Sequence, residues 1–199
     1  MIKMLSFVLI AVLVPAFLIV MTECAFAKDI IYRGKVIDAY TREPIEGAVV
    51  VVYWLKAWQT VSGESTELKE VKETLTDRNG EWSTRGPKGK EDDPHPYLSF
   101  FLGLSYTRKP SFIVFKPGYC SWPNGFSIDA CKDRIKPGGT SRIIEGKTIE
   151  LPKLTKREER LRALPGAIEG EGALEKQKEF IRLINEERKN LGLSGEVYK

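Results

Sequence analysis

The side chains able to do chemistry in this chain are few and poorly partnered. His95 is the single histidine, and it stands between Pro94 and Pro96. A nucleophile–base triad needs a second and third group held around the imidazole, and a zinc or iron centre needs several converging nitrogen or sulfur donors. One imidazole between two prolines supplies neither, so it reads as a solvated loop residue. Glu91-Asp92-Asp93 and Asp77-x-Asn79-Gly80 carry calcium-type oxygens, but neither has the ligand spacing of a complete calcium loop. Gly86-Pro-Lys-Gly-Lys90 lacks the Ser or Thr and the strand–loop–helix setting of a phosphate loop. These patterns predict no catalytic residue, no cofactor and no metal. The remaining catalytic alternative is a histidine-poor enzyme using carboxylates such as Glu91 or Asp93.

Two cysteines and four aromatic residues offer more. Cys120 and Cys131 bracket Ser-Trp-Pro-Asn-Gly-Phe-Ser-Ile-Asp-Ala, and an even pair in an exported chain reads as one disulfide. A thiol metal site is the alternative, but no histidine or further cysteine is nearby to complete it. Trp54 and Trp58 fall on one side of a strand, and Trp122 and Phe126 lie inside the bridged loop. A rigid loop presenting a tryptophan suits a sugar ring or a partner's apolar side chain. The alternative places Trp54 in the core and packs Trp122 against its own loop.

The elements that must position these residues are mostly strands. Ile30–Ala39 has strand composition, and Pro44 and Gly47 punctuate the turn that follows. Ala48–Trp58 is the strongest strand, rich in β-branched and aromatic residues. Val49, Val51, Tyr53 and Leu55 point one way, and Ala48, Val50, Val52 and Trp54 the other. Burial on one face alone would give polar alternation, so something must cover the second face. Gln59–Leu68 reads as a polar loop and Lys69–Thr76 as a strand. Asn79-Gly80 reads as a hairpin turn leading to Glu81–Thr84, with Trp82 as the inward anchor. Gly86–Pro96 reads as an exposed loop, and Tyr97–Tyr106 is apolar and aromatic but too short to assign to an element. Phe112–Phe115 and Arg142–Leu154 complete the strands.

The two ends differ from this middle. Lys3 precedes Met4–Met21, which is apolar apart from Ser6 and Pro15, and Ala25-Phe26-Ala27 offers a signal-peptidase site. Residues 1–27 are thus expected to be a signal peptide cleaved after Ala27, with an uncleaved membrane anchor as the alternative. The net charge of +4 is spread without a basic block, which disfavours nucleic acid while allowing contact with an anionic surface. Thr155-x-x-Glu158 predicts a capping box opening a short charged helix. Ala173–Leu191 predicts an amphipathic helix with Leu174, Phe180, Ile181, Ile184 and Leu191 on its stripe, interrupted by Arg188, with Leu183 off it. That stripe docks either on the second face of the Ala48–Trp58 strand or on another protein.

Gly34-x-Val36-x-Asp38, Pro44-Ile45-x-Gly47-Ala48-x-Val50, Thr76-Asp77-x-Asn79-Gly80-x-Trp82 and Phe115-x-x-Gly118-Tyr119 together resemble the carboxypeptidase regulatory-like domain. The resemblance covers about residues 31–154. It implies a mainly β chain, a transthyretin-like Greek-key β-sandwich over residues 28–154; residues 155–199 are read from their own pattern as a charged helical C-terminal extension. It also implies an accessory, non-catalytic module, and no catalytic residue carries over from it. The long Gly86–Pro110 region, the cysteine-bridged loop and the helical tail depart from the family pattern. The expected function is an exported binding or assembly module of the bacterial envelope, periplasmic or secreted, with an envelope protein or a glycan as partner. A carbohydrate-binding module is the nearest alternative.

Overall fold

The computed structural model describes residues 30–87, 96–123, 128–132 and 146–198. Its strands are β1 (Ile31–Asp38), β2 (Val49–Thr60), β3 (Gly63–Leu75), β4 (Glu81–Arg85), β5 (Ser105–Thr107), β6 (Ser111–Phe115) and β7 (Thr148–Leu151). Its helices are α1 (Pro96–Leu102), α2 (Arg157–Arg162) and α3 (Lys178–Asn190), the last preceded by a 3-10 turn at Leu174–Lys176. The chain is mainly β, with its strands in two sheets. In one sheet β1 lies between antiparallel β4 and parallel β7. In the other, β2 pairs with β3 along one edge, while β6 and β5 share the opposite edge end to end.

β2 is apolar on both faces because both faces are covered. Ala48, Val50, Val52 and Trp54 join Tyr32, Val36, Trp82, Phe112 and Leu151 in a core shared by the two sheets. Val49 and Val51, with Val71, Ile113 and Phe115 from the neighbouring strands, meet Phe180, Leu183 and Ile184 of α3. The C-terminal segment is therefore the cover that the strand composition demands. Each such side chain, fully buried, contributes about 1.5–3 kcal/mol before ordering entropy is subtracted. The buried stripe on α3 runs through Phe180, Leu183, Ile184 and Glu187, with Leu191 at its end. Leu183 is thus on the stripe, and Ile181 is only half-buried.

Three further expectations are corrected. Gln59–Leu68 is not a loop: β2 continues to Thr60 and pairs in register with Gly63–Leu68 of β3. This arm is solvated on much of its surface, so it lacks the apolar alternation by which a half-buried strand is recognised. The Asn79-Gly80 turn joins β3 and β4, which lie in different sheets, so it is a corner and not a hairpin. Asp77 Oδ1 accepts the amide N–H groups of Asn79 and Glu81 at 2.9 and 2.8 Å, and the Gly80 carbonyl accepts from Val36 N at 2.8 Å. Gly80 sits at φ +72°, and a Cβ there would lie 2.3 Å from the Val36 carbonyl oxygen, so no other residue fits this crossing. Thirdly, Thr155 forms no capping box. The helix starts after Lys156 without a side-chain cap, in a register fixed by Arg157 donating to the Leu191 carbonyl and Arg160 to Glu187. The unassigned Tyr97–Tyr106 stretch holds most of α1 and the start of β5.

A third cluster surrounds the disulfide. Cys120 and Cys131 are bonded and fully buried with Ile128, Leu154 and Ala163. The Cys120 amide donates to the Pro152 carbonyl at 2.9 Å, which ties this region to the exit of β7.

Candidate functional site

The four aromatic residues singled out by the sequence do not form one surface. Trp54 is fully buried, its ring 5.8 Å from that of Tyr32, with Lys72 Nζ 5.8 Å above it. Trp58 is half-buried further along β2, under Lys56 Nζ at 5.9 Å. Trp122 exchanges both backbone hydrogen bonds with Val114 at 2.9 Å and packs against both the inter-sheet core and the disulfide cluster. Phe126 lies outside the described residues, as do His95 and Glu91–Asp93. Among the described residues, no three His, Cys, Asp or Glu side chains come together as a metal-ligand set. The Asp77 carboxylate is occupied by the corner it builds.

The structure brings forward a surface that composition did not single out. Leu98, Phe100, Phe101, Leu102 and Leu104 are all exposed, Phe101 to 81% and Leu102 to 60%. The Phe100 and Phe101 rings meet edge to face at 5.5 Å. Helix α1 ends at Gly103 (φ +62°), whose amide donates to the Phe100 carbonyl, and Leu104 N donates to the Ser99 carbonyl at 2.9 Å. The left-handed turn at Gly103 reverses the chain into β5 and leaves the apolar side chains at the outside of the bend. Together they expose on the order of 500 Å² of apolar surface, the size range of the largest patch on a soluble monomer and one often used for contact.

The ground under this surface is polar and well tied. β5 pairs with Lys56–Trp58 of the arm, and the Arg108 amide donates to the Leu55 carbonyl at 2.8 Å. Glu64 accepts from the Tyr106 hydroxyl and forms an ion pair with Arg108 at 3.2 Å. Lys56 pairs with Glu67 at 2.9 Å, and Lys69 donates to the Thr107 hydroxyl at 2.5 Å. Lys56, Arg108 and Lys69 beside β5 are thus each partnered, by Glu67, Glu64 and the Thr107 hydroxyl respectively. No Asp or Glu occurs between Pro94 and Ile128. That acid-free run was the available sequence signal, and it was hidden by the ordinary assumption that apolar runs are buried.

Open grooves are also present elsewhere among the described residues. One of about 630 Å³ is lined by Arg33, Lys35, Asp77, Glu81, Trp82 and Lys147. Another, about 840 Å³, runs between α3 and the Leu193–Tyr198 segment. Both carry side chains of both signs and neither gathers a reactive set.

Comparison of the chain with protein-family models, curated proteins and solved structures returned no match. Among the described residues, no helix is long and apolar enough to cross a membrane.

Proposed function

We propose that this chain is an exported, non-catalytic binding or assembly module of the bacterial cell envelope. It is built on a transthyretin-like Greek-key β-sandwich of the carboxypeptidase regulatory-like kind, with the C-terminal helices as an extension packed on the outer sheet face. The family motifs fall at positions that hold such a fold together. Asp38 and Tyr119, from the first and last motifs, lie close enough to shift each other's titration, and the Thr76 hydroxyl donates to the Ile45 carbonyl while accepting from Ala48 N. The buried Cys120–Cys131 disulfide supports an oxidising compartment. Periplasmic or secreted placement follows from the Ala25-Phe26-Ala27 site, with N-terminal anchoring as the alternative. The non-catalytic reading rests on the scarcity of reactive side chains in the sequence.

The observation that carries the binding role is the exposed Leu98–Leu104 surface. A chain that buries Trp54, Phe112, Phe115 and Phe180 completely, yet holds five large apolar side chains in solvent, uses them for contact. A photo-crosslinking residue at Phe101, in cells making the protein, tests this. Adducts to an envelope component from position 101, absent from a control at exposed Glu158, are expected. An exported, folded protein giving equal adducts from both positions overturns the reading.

A further inference from the structure

We propose that the Cys120–Cys131 bridge and the C-terminal segment form a redox-dependent latch. The closed disulfide holds α2 and α3 on the sheet, and the seated segment shields the disulfide from thiols.

The backbone that carries Cys120 is also the partner of the approach to α2. Tyr119 and Lys153 form an antiparallel bridge, the Cys120 amide donates to the Pro152 carbonyl at 2.9 Å, and the Leu154 amide donates to the Gly118 carbonyl at 2.8 Å. Helix α2 begins three residues after Leu154, and Ala163 follows its end. Leu154 and Ala163 are both buried in the cluster that holds Cys120, Ile128 and Cys131. The residues just before and just after α2 therefore rest on the disulfide. At six residues and without a side-chain cap, α2 is too short to stand alone. From α2 the hold passes to α3: Arg157 donates from Nε and Nη2 to the Leu191 carbonyl at 3.1 and 2.8 Å, and Arg160 grips the buried Glu187 carboxylate.

The bond itself is what fixes the floor of this seat. Among the described residues, the backbone amides of Cys131 and Lys132 donate only to the Ile128 carbonyl of their own stretch. Ile128 and Cys131 are tied to the rest of the cluster by packing and by the S–S bond alone. Without the bond that stretch is free to leave, and Leu154 and Ala163 lose what they rest on. Conversely, both cysteines are fully buried, and exchange requires a thiolate to reach one of the sulfurs. The coupling is reciprocal: whatever loosens the seat opens the bridge to attack, and breaking the bridge loosens the seat.

Closing the latch forms one S–S bond from two thiols; two electrons and two protons pass to a disulfide carrier, which becomes a dithiol. Opening reverses this with an external dithiol, which leaves as a disulfide. In an oxidising compartment the outer face of β2 is covered, and in a reducing one that cover is released.

Reduction of the oxidised full chain by dithiothreitol, quenched by alkylation and read by mass, tests the shielding. Arg160→Ala, which cuts α2 from Glu187, is expected to speed reduction about tenfold or more through local opening. Val36→Ala, in the inter-sheet core, is the control. Reduction rates that simply follow the global stability of both variants overturn the latch, because the bridge then opens only with the whole fold. Hydrogen–deuterium exchange on the reduced chain, kept in dithiothreitol, tests the hold. Amides of residues 157–162 and 178–190 are expected to exchange about tenfold faster, with β1 and β4 unchanged. The C120A/C131A variant, which needs no reductant, is expected to repeat that pattern. Unchanged exchange in α2 and α3 with both thiols free overturns the latch. So does an equal rise in every strand, which makes the bridge a staple of the whole fold.

Discussion

Glu73 on β3 caps helix α3 at Phe180: Oε2 accepts the Phe180 amide N–H and Oε1 that of Glu179, both at 2.9 Å. The helix has no side-chain cap from its own N-terminal residues. Its first-turn amides would otherwise be orphaned, and a carboxylate there is also favoured by the helix dipole. The sheet therefore supplies the polar half of the same contact whose apolar half is Phe115 against Phe180. Glu73→Ala is expected to destabilise the protein by about 1–2 kcal/mol in urea unfolding, with exchange accelerated mainly in α3. An unchanged midpoint would show that the cap carries no stability.

A second polar contact inside the C-terminal segment is asymmetric. Arg160 holds Glu187 through two parallel bonds, Nε to Oε1 at 2.8 Å and Nη2 to Oε2 at 2.7 Å. The Glu187 side chain is almost wholly buried, whereas a quarter of Arg160 remains exposed. Arg160→Ala strands a buried carboxylate and is expected to cost about 3–5 kcal/mol. Glu187→Ala leaves a guanidinium that can turn to water, so its cost is expected to be smaller. Thermal unfolding of the two variants side by side decides this, and the reverse ranking would contradict the burial argument.

The Asp38–Tyr119 pair makes a prediction in pH. Burial pulls the Asp38 carboxyl upward. The amides of Thr41 and Tyr40, the Tyr119 hydroxyl and the Lys153 charge outweigh it, and the group ends below the ordinary carboxylate value. A depressed folded value means that Asp38 stabilises the protein fully above its unfolded titration, near pH 4. That stability is lost as pH falls through the folded value. Burial and the Asp38 charge push Tyr119 the other way, so it favours the neutral phenol in the folded state. Asp38→Asn is expected to flatten the acid limb of the stability profile and to lower stability at neutral pH. Tyr119→Phe is expected to move the acid limb upward in pH. A wild-type acid limb identical to that of Asp38→Asn would remove Asp38 from the account.

Much of this architecture was legible before any coordinates. The doubled apolar faces of Ala48–Trp58 demanded a cover, and the helical periodicity after Ala173 indicated a candidate for it. The failures have common physical causes. Gln59–Leu68 pairs by backbone in an arm with little buried surface, and backbone pairing leaves no mark in hydropathy. Asn79-Gly80 specifies the dihedral angles of a turn but not the sheet its next strand joins; Val36 and its bond to Gly80 decide that, from more than forty residues away. Leu183 lies on the buried stripe because Phe180, Leu183, Ile184, Glu187 and Leu191 stand at i, i+3, i+4, i+7 and i+11 on one face; including Leu174 and Ile181, both only half-buried, turned the expected stripe away from it. Leu98–Leu104 escaped notice because exposed and buried apolar runs have the same composition.

The covering role of the C-terminal segment gives the most direct stability test. Deleting residues 155–199 uncovers Val49, Val51, Val71, Ile113 and Phe115 at once, a contiguous apolar sheet face. The truncated chain is expected to aggregate or to accumulate only in insoluble form, because a large exposed sheet face invites association. A milder probe keeps the chain intact. Phe180 is fully buried, and Phe180→Ala is expected to cost about 3–5 kcal/mol through lost burial and the cavity left behind. The exchange of α3 amides and of the Val49–Tyr53 half of β2 should rise together in that variant, because each covers the other. If the truncated protein stays monomeric with an unchanged melting temperature, the second face of β2 does not depend on α3, and the segment is free to serve a partner instead.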